Sequence, residues 1–310
     1  MGVYVDFSNF IEIGLEHWER GPLRTWSWRE LTPAFLDGAA EDGRLTVVQI
    51  SRSVPEEALA RIDDLLVRRP DLTFRVYGLH GEPPFDLRAL RGMPHLRRLT
   101  LDVHTAGRPE VLNCEVLGDL AGLKALTLDL FDWKDYSFIR DLPVDLEELG
   151  VFADTIKGGI VFDCGWLARF PELHTLRLGM KAKKNIGKVG ELPALKALTL
   201  RGIKLPDLEF LRERQLESLA IWWCGMNDLR SLDGFASLRT LELWRIMKLE
   251  DLSFLPALEN LETLRLRDLS HIRGLPDLSG LTKLRELVLE NMHIDPASLP
   301  ETPRDIVRYR

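Results

Sequence analysis

The sequence predicts an α/β solenoid, in which one short strand and one returning segment repeat along the chain and stack. An apolar triad, L-x-x-L-x-L with Val or Ile substituting, recurs eleven times from about residue 45 to residue 294. Its middle positions, 48, 74, 99, 126, 149, 176, 198, 219, 241, 264 and 287, lie 26, 25, 27, 23, 27, 22, 21, 22, 23 and 23 residues apart. Such a period belongs to stacked repeats rather than to a closed globule. Side chains alternate along a strand, so Leu241 and Leu243 point one way while Thr240, Glu242 and Trp244 point the other. One strand cannot bury its leucines alone, and stacking eleven of them does.

Residues 1–44 fall outside the repeat and are expected to cap the open apolar end of the array. Val3, Val5 and Phe7 alternate as in a short strand, and Trp26 to Leu36 reads as an amphipathic helical turn or two closed by Gly38. The solenoid then occupies 45–294. Between its first two strands Pro55-Glu-Glu-Ala-Leu59 through Leu66 has helical spacing, with Pro55 placed for a first turn. Later returns such as Asp207-Leu-Glu-Phe210-Leu211 and Asp251-Leu-Ser-Phe254-Leu255 are too brief for more than a 3₁₀ turn. The outer wall should therefore thin from α-helix to 3₁₀. Residues 295–310 complete one continuous domain as a second cap, with Ile306 and Tyr309 covering the last repeat.

The triad, followed by a small or apolar residue and another Leu or Ile, resembles the leucine-rich-repeat family, in a bacterial style. The longer early repeats are similar to the ribonuclease-inhibitor type and the later ones, of roughly 22 residues, to the internalin type. The resemblance implies a curved horseshoe with a parallel sheet on the concave side and helical or 3₁₀ segments on the convex side. It also implies Asn or Cys at the bend after each triad. Only Cys224 conforms, while Ile203, Leu269 and Met292 stand at the equivalent place.

Composition narrows the function. With 45% hydrophobic and 29% charged residues the chain reads as globular, and its net charge of −7 disfavours nucleic acid as a default partner. No apolar run approaches a membrane span and no leader pattern opens the chain, so a cytoplasmic monomer without membrane contact is expected. Cys114, Cys164 and Cys224 have neither disulfide nor zinc spacing and read as buried thiols.

No cofactor or metal is expected. Gly187-Lys188 lacks the hydroxyl residue and first glycine of a phosphate loop, and Asp129, Asp132 and Asp135 lack the glycine and closing glutamate of a calcium loop. The histidines form no H-x-x-x-H pair and adjoin no G-x-S-x-G elbow, so no catalytic residues are expected and the chain does not read as an enzyme. Lys181, Lys183, Lys184 and Lys188 cluster after the sixth triad, where a solvated loop is preferred over an anion contact.

The expected site is the face opposite the leucines. The column just after each triad contains Phe152, Gly179, Arg201, Trp222, Trp244, Arg267 and Glu290, and the column two residues earlier contains Arg177, Thr199, Ala220, Glu242 and Arg265. Trp and Arg carry much of the binding energy at protein interfaces. Trp222 and Trp244, on adjacent rungs about 4.8 Å apart, with Arg201, Arg265, Arg267, Arg177, Glu242 and Phe152, are therefore the candidate contacts for a protein or peptide partner. The competing reading has the indoles stacking on one another and on arginine merely to stabilise the sheet. A non-enzymatic recognition module follows, acting in one form as an inhibitor. The alternatives are a toxin-immunity protein, a substrate-recognition adaptor of a larger enzyme complex, for which repeats and caps leave no room within the chain, and self-association.

Overall fold

The computed structural model describes residues 10–20, 23–78, 85–104, 112–155, 157–212, 214–226, 228–294 and 307–309. The chain forms two compact units, Met1–Val161 and Phe162–Arg310.

In the first unit the strands are β1 (Phe10–Gly14), β2 (Trp18–Arg20), β3 (Leu23–Ser27), β4 (Val47–Ile50), β5 (Thr73–Gly78), β6 (Arg98–His104), β7 (Ala125–Phe131) and β8 (Glu148–Ala153). They lie in the order β8-β7-β6-β5-β4-β1-β3-β2. All neighbours from β4 to β8 pair in parallel, with the triads in register: Val48 faces Phe74, Phe74 faces Leu99, and Leu126 faces Leu149. Side chains on the inner side, such as Val48, Leu101 and Leu149, are fully buried because the returning segments cover them.

Helix α1 (Pro33–Glu41) precedes β4, and helix α2 (Glu56–Arg68) joins β4 to β5, with Pro55 as its N-cap residue and Ala58, Leu59, Ile62, Leu65 and Leu66 buried. Arg69 ties the two helices together by donating to the carbonyls of Ala40 at 3.3 Å and Asp42 at 3.1 Å, groups that the end of α1 leaves without helical partners. From the next repeat onward the returns carry 3₁₀ segments, from Leu87–Gly92 to Leu255–Ala257, while residues 268–285 make turns only.

The segment before the triads departs from the expected arrangement. Its Val3–Phe7 strand lies outside the described residues, but β1 and β3 continue the parallel ladder past β4, and β2 folds back antiparallel. Trp26 belongs to β3 rather than to a helix. The helix starts only at Pro33, because Ser27 and Glu30 form a capping box around a short 3₁₀ turn and Thr32 then caps α1 through the Phe35 amide. Gly38 sits inside α1 and does not close it.

The second unit carries β9 (Thr175–Met180), β10 (Ala197–Arg201), β11 (Ser218–Trp222), β12 (Thr240–Trp244), β13 (Thr263–Arg267), β14 (Glu286–Glu290) and β15 (Val307–Tyr309), all pairing in parallel in sequence order. The second and third residues of every triad from Leu176 to Leu289 are at most 2% exposed. Strand β15 extends the ladder beyond the last triad, Val307 opposite Leu287, while Ile306 lies outside the described residues.

One residue type organises the turns behind the sheet. Asp135, Asp163, Asp207, Asp228, Asp251 and Asp277 each accept the amide two residues ahead, at 2.8–3.1 Å, and so start the returning segment. Their short carboxylates replace the backbone partner that a tight turn lacks.

Candidate partner-binding face

The strand register places the expected columns as neighbours. In the outer column Gly179, Arg201, Trp222, Trp244, Arg267 and Glu290 are successive Cα partners from β9 to β14. In the inner column Arg177, Thr199, Ala220, Glu242, Arg265 and Val288 succeed one another in the same way. All of these belong to the second unit. Phe152 lies on β8 of the first unit and is only 9% exposed.

The rings are half-buried rather than open. The small neighbours Thr199 and Ala220 predict accessible indoles, but Trp222 and Trp244 turn edge to face at 6.1 Å between centroids, each shielding the other. A third ring joins them. Trp223 follows the strand end and, by simple alternation, would point inward with Ile221. Its backbone instead adopts φ 56°, which brings its ring to 4.9 Å from that of Trp244.

That left-handed turn repeats at the exit of each strand from β9 to β14, at Met180, Gly202, Trp223, Arg245, Asp268 and Asn291. The amides of Gly202, Trp223, Arg245 and Asp268 each donate to the carbonyl ending the next strand, at 2.7–3.0 Å. The bend thus satisfies its backbone through the ladder itself. Cys224, which follows one such turn, adds its buried thiol, in contact with the carbonyls of Leu200 and Trp222 at 3.4 Å each. Burial pushes that thiol's pKa up, which suits a structural thiol rather than a nucleophile.

Charge is distributed differently from the sequence expectation. Arg265 and Arg267 do not make an open basic patch, because carboxylates on the neighbouring strands hold them. Arg265 Nη2 is 2.9 Å from Glu286, and Arg267 reaches Glu242 at 3.3 Å on one side and Glu290 at 3.1 Å on the other. The Arg267 guanidinium lies 5.9 Å from the Trp244 ring centroid, and that of Arg201 lies 5.1 Å from the Trp223 ring. Trp244 Nε1 donates to Asp268 at 3.0 Å, and Arg245 also meets Asp268, at 3.1 Å. The Trp222 indole nitrogen is buried without a hydrogen bond of normal geometry, although it is near enough to Glu242 to favour that group's charged form. Burial is the larger influence and raises the Glu242 pKa.

The candidates thus form one group, Trp222, Trp244, Arg201, Arg265, Arg267 and Glu242, with Arg177 at its β9 end. Sequence reading missed Trp223 and Asp268. The Trp222-Trp223 doublet was the available signal for the first, but alternation carries no information about the sign of φ. The lysine cluster is largely occupied: Lys184 pairs with Asp163 at 3.4 Å, Lys188 with Glu191 at 2.7 Å, and Lys183 donates to the Lys204 carbonyl at 3.3 Å.

A parallel strand every 21–27 residues, leucines inward and a capped turn behind, decides the architecture. The fold is a leucine-rich-repeat solenoid. No protein-family model matches the chain. No curated protein matches it either. Among solved structures similar to this solenoid, an internalin, InlF, from Listeria monocytogenes aligns with a TM-score of 0.48 and 21% identity over 81% of this chain and 76% of that one. The internalin InlC2 of the same organism aligns at 0.47 and 23% over 63% and 84%. The leucine-rich-repeat domain of the type III effector XopL aligns at 0.39 and 18% over 90% and 88%. Among the described residues, no helix is long and apolar enough to cross a membrane.

Proposed function

We propose that the protein is a non-enzymatic recognition module that holds a protein or peptide partner on the outward face of β10–β14. Its anchors are Trp222, Trp223 and Trp244, with Arg201, Arg265, Arg267 and Glu242 around them and Arg177 at the edge. One observation carries this reading: three indoles and their arginines are gathered on the side of the sheet that the leucines leave free. Scaffold stability alone asks only for the leucines and the turns.

Aromatic and arginine side chains that are already oriented lose little further freedom when a partner settles on them, which is how a few residues come to dominate an interface. Paired carboxylates keep the arginines in place and give the partner a surface of alternating charge, which favours specificity over raw affinity. Inhibition of the bound protein is the form of recognition this arrangement suits, since a broad contact face blocks what it covers.

The test is affinity capture from the native lysate with the wild type and with Trp222→Ala/Trp244→Ala, each shown to be folded by circular dichroism. The wild type is expected to retain a specific protein that the double variant loses, with a drop in affinity of at least about 30-fold, corresponding to a truncation cost of about 2 kcal/mol at an anchor. Equal recovery of every bound protein by the folded double variant would overturn the assignment.

A further inference from the structure

The face contains one carboxylate more than its ion pairs require. Arg265 is matched by Glu286 at 2.9 Å, and Arg267 is shared between Glu290 at 3.1 Å and Glu242 at 3.3 Å. Two guanidinium groups thus serve three carboxylates. The surplus falls on the most enclosed of them: the Glu242 side chain is 14% exposed, against 27% for Glu286 and 40% for Glu290. Glu242 sits on the central strand of the group, with Ala220 on one side and Arg265 on the other in its column. The groups facing it are Trp222 from β11, Arg265 and Arg267 from β13, and Glu290 from β14.

We propose that Glu242 is a proton-operated latch: protonation frees Arg267 from Glu242, leaves its guanidinium on Glu290 alone, and so resets the packing around Trp222 and Trp244. A neutral carboxyl needs no guanidinium partner, and the remaining pair is then one to one. The step also removes one negative charge from the face. Burial, which disfavours the charged form, and the nearby Glu290 both push Glu242 towards taking the proton, while Arg267 and Arg265 resist. Because Arg267 also lies over the Trp244 ring, the change reaches the aromatic group directly. The inference does not depend on a partner being bound there.

The experiment follows tryptophan emission of the full chain from about pH 8 to about pH 4, with far-ultraviolet circular dichroism reporting retention of the fold. A reversible emission step is expected, centred above the ordinary glutamate value of about 4.3. It should vanish in Glu242→Gln and move to lower pH in Glu290→Gln, because removal of the neighbouring negative charge lets Glu242 release its proton more readily. Carbon-13 carboxyl NMR of the wild type reads the Glu242 titration directly and decides the matter if Glu242→Gln does not fold. An emission step of the same midpoint in folded Glu242→Gln, no step in the wild type, or a Glu242 carboxyl titrating at or below the ordinary value would overturn the proposal.

Discussion

Left-handed backbone at a residue with a Cβ costs on the order of 1–2 kcal/mol, less for Asn and Asp, whose short side chains suit that region. Strands β9 to β14 all end in it, and the residues there differ in how well they tolerate it. Gly202, Asp268 and Asn291 suit it, whereas Met180, Trp223 and Arg245 do not. Arg245 gains little in return, since its pair with Asp268 is half exposed at 52% for the arginine and such pairs contribute little. Arg245→Asn is therefore expected to raise stability by about 0.5–1 kcal/mol, measured as a higher urea midpoint at unchanged slope. A lower midpoint would mean that the ion pair outweighs the backbone strain. The same scale shows what could be read in advance. Period-2 alternation located Trp222 and Trp244 on the outward face and their register with Arg201 and Arg267, because alternation is a property of the strand alone. It could not place Trp223, whose direction depends on the sign of one φ. Nor could it show that Glu242, Glu286 and Glu290 neutralise the arginines, since pairing depends on side-chain conformers across strands.

Most described repeats join an inward triad to a turn started by an aspartate, and the two parts fail differently when altered. Leu241 is fully buried between the equivalent leucines of β11 and β13, so Leu241→Ala should cost about 3 kcal/mol by lost transfer energy and a residual cavity. Denaturant unfolding checks this, and a cost below about 1 kcal/mol would show that neighbouring rungs collapse into the gap. Asp163 illustrates the turn. Its carboxylate accepts from the Gly165 amide at 2.8 Å and from Asn185 Nδ2 at 2.8 Å, so Asp163→Ala should cost about 1 kcal/mol, in the range of a lost helix cap. The return segments themselves were legible from length. Thirteen residues with helical spacing made α2, and five-residue returns could close only a 3₁₀ turn. The N-terminal segment was not legible in the same way. Its strands β1 and β3 obey no triad, and only the caps at Ser27 and Thr32 fix where the helix starts.

Across the molecule the aspartate turns set the response to acid. The Arg88 guanidinium and amide hold the Asp86 carboxyl down at about 2, and the Gly165 amide lowers Asp163. Amides two residues ahead likewise lower Asp251 and Asp277, and the Arg230 side chain lowers Asp228. A carboxyl whose folded pKa lies below its unfolded value contributes stability that is complete above about pH 4 and is lost as the pH falls through the folded value. The aspartates' contribution to the thermal midpoint should therefore be flat from neutral pH down to about pH 5 and fall steeply between about pH 4 and about pH 2. Glu242 has the opposite sign: its raised pKa means that its contribution is present below the unfolded value and lost as the pH rises through the folded one. Glu242→Gln should accordingly flatten any gain in stability seen on mild acidification. A midpoint that stays constant down to about pH 2 would show that the aspartate turns carry no linked stability.

The claim that the outward face of β10–β14 receives the partner is tested most directly by site-specific photocrosslinking. A benzoylphenylalanine introduced at Arg245, exposed beside Trp244, is compared in the native lysate with one at Asp233, exposed on the 3₁₀ segment Arg230–Gly234 behind the sheet. A discrete protein adduct from position 245 and none from position 233 is the expected result. Adducts from position 233 alone, or identical adducts from both, would contradict it.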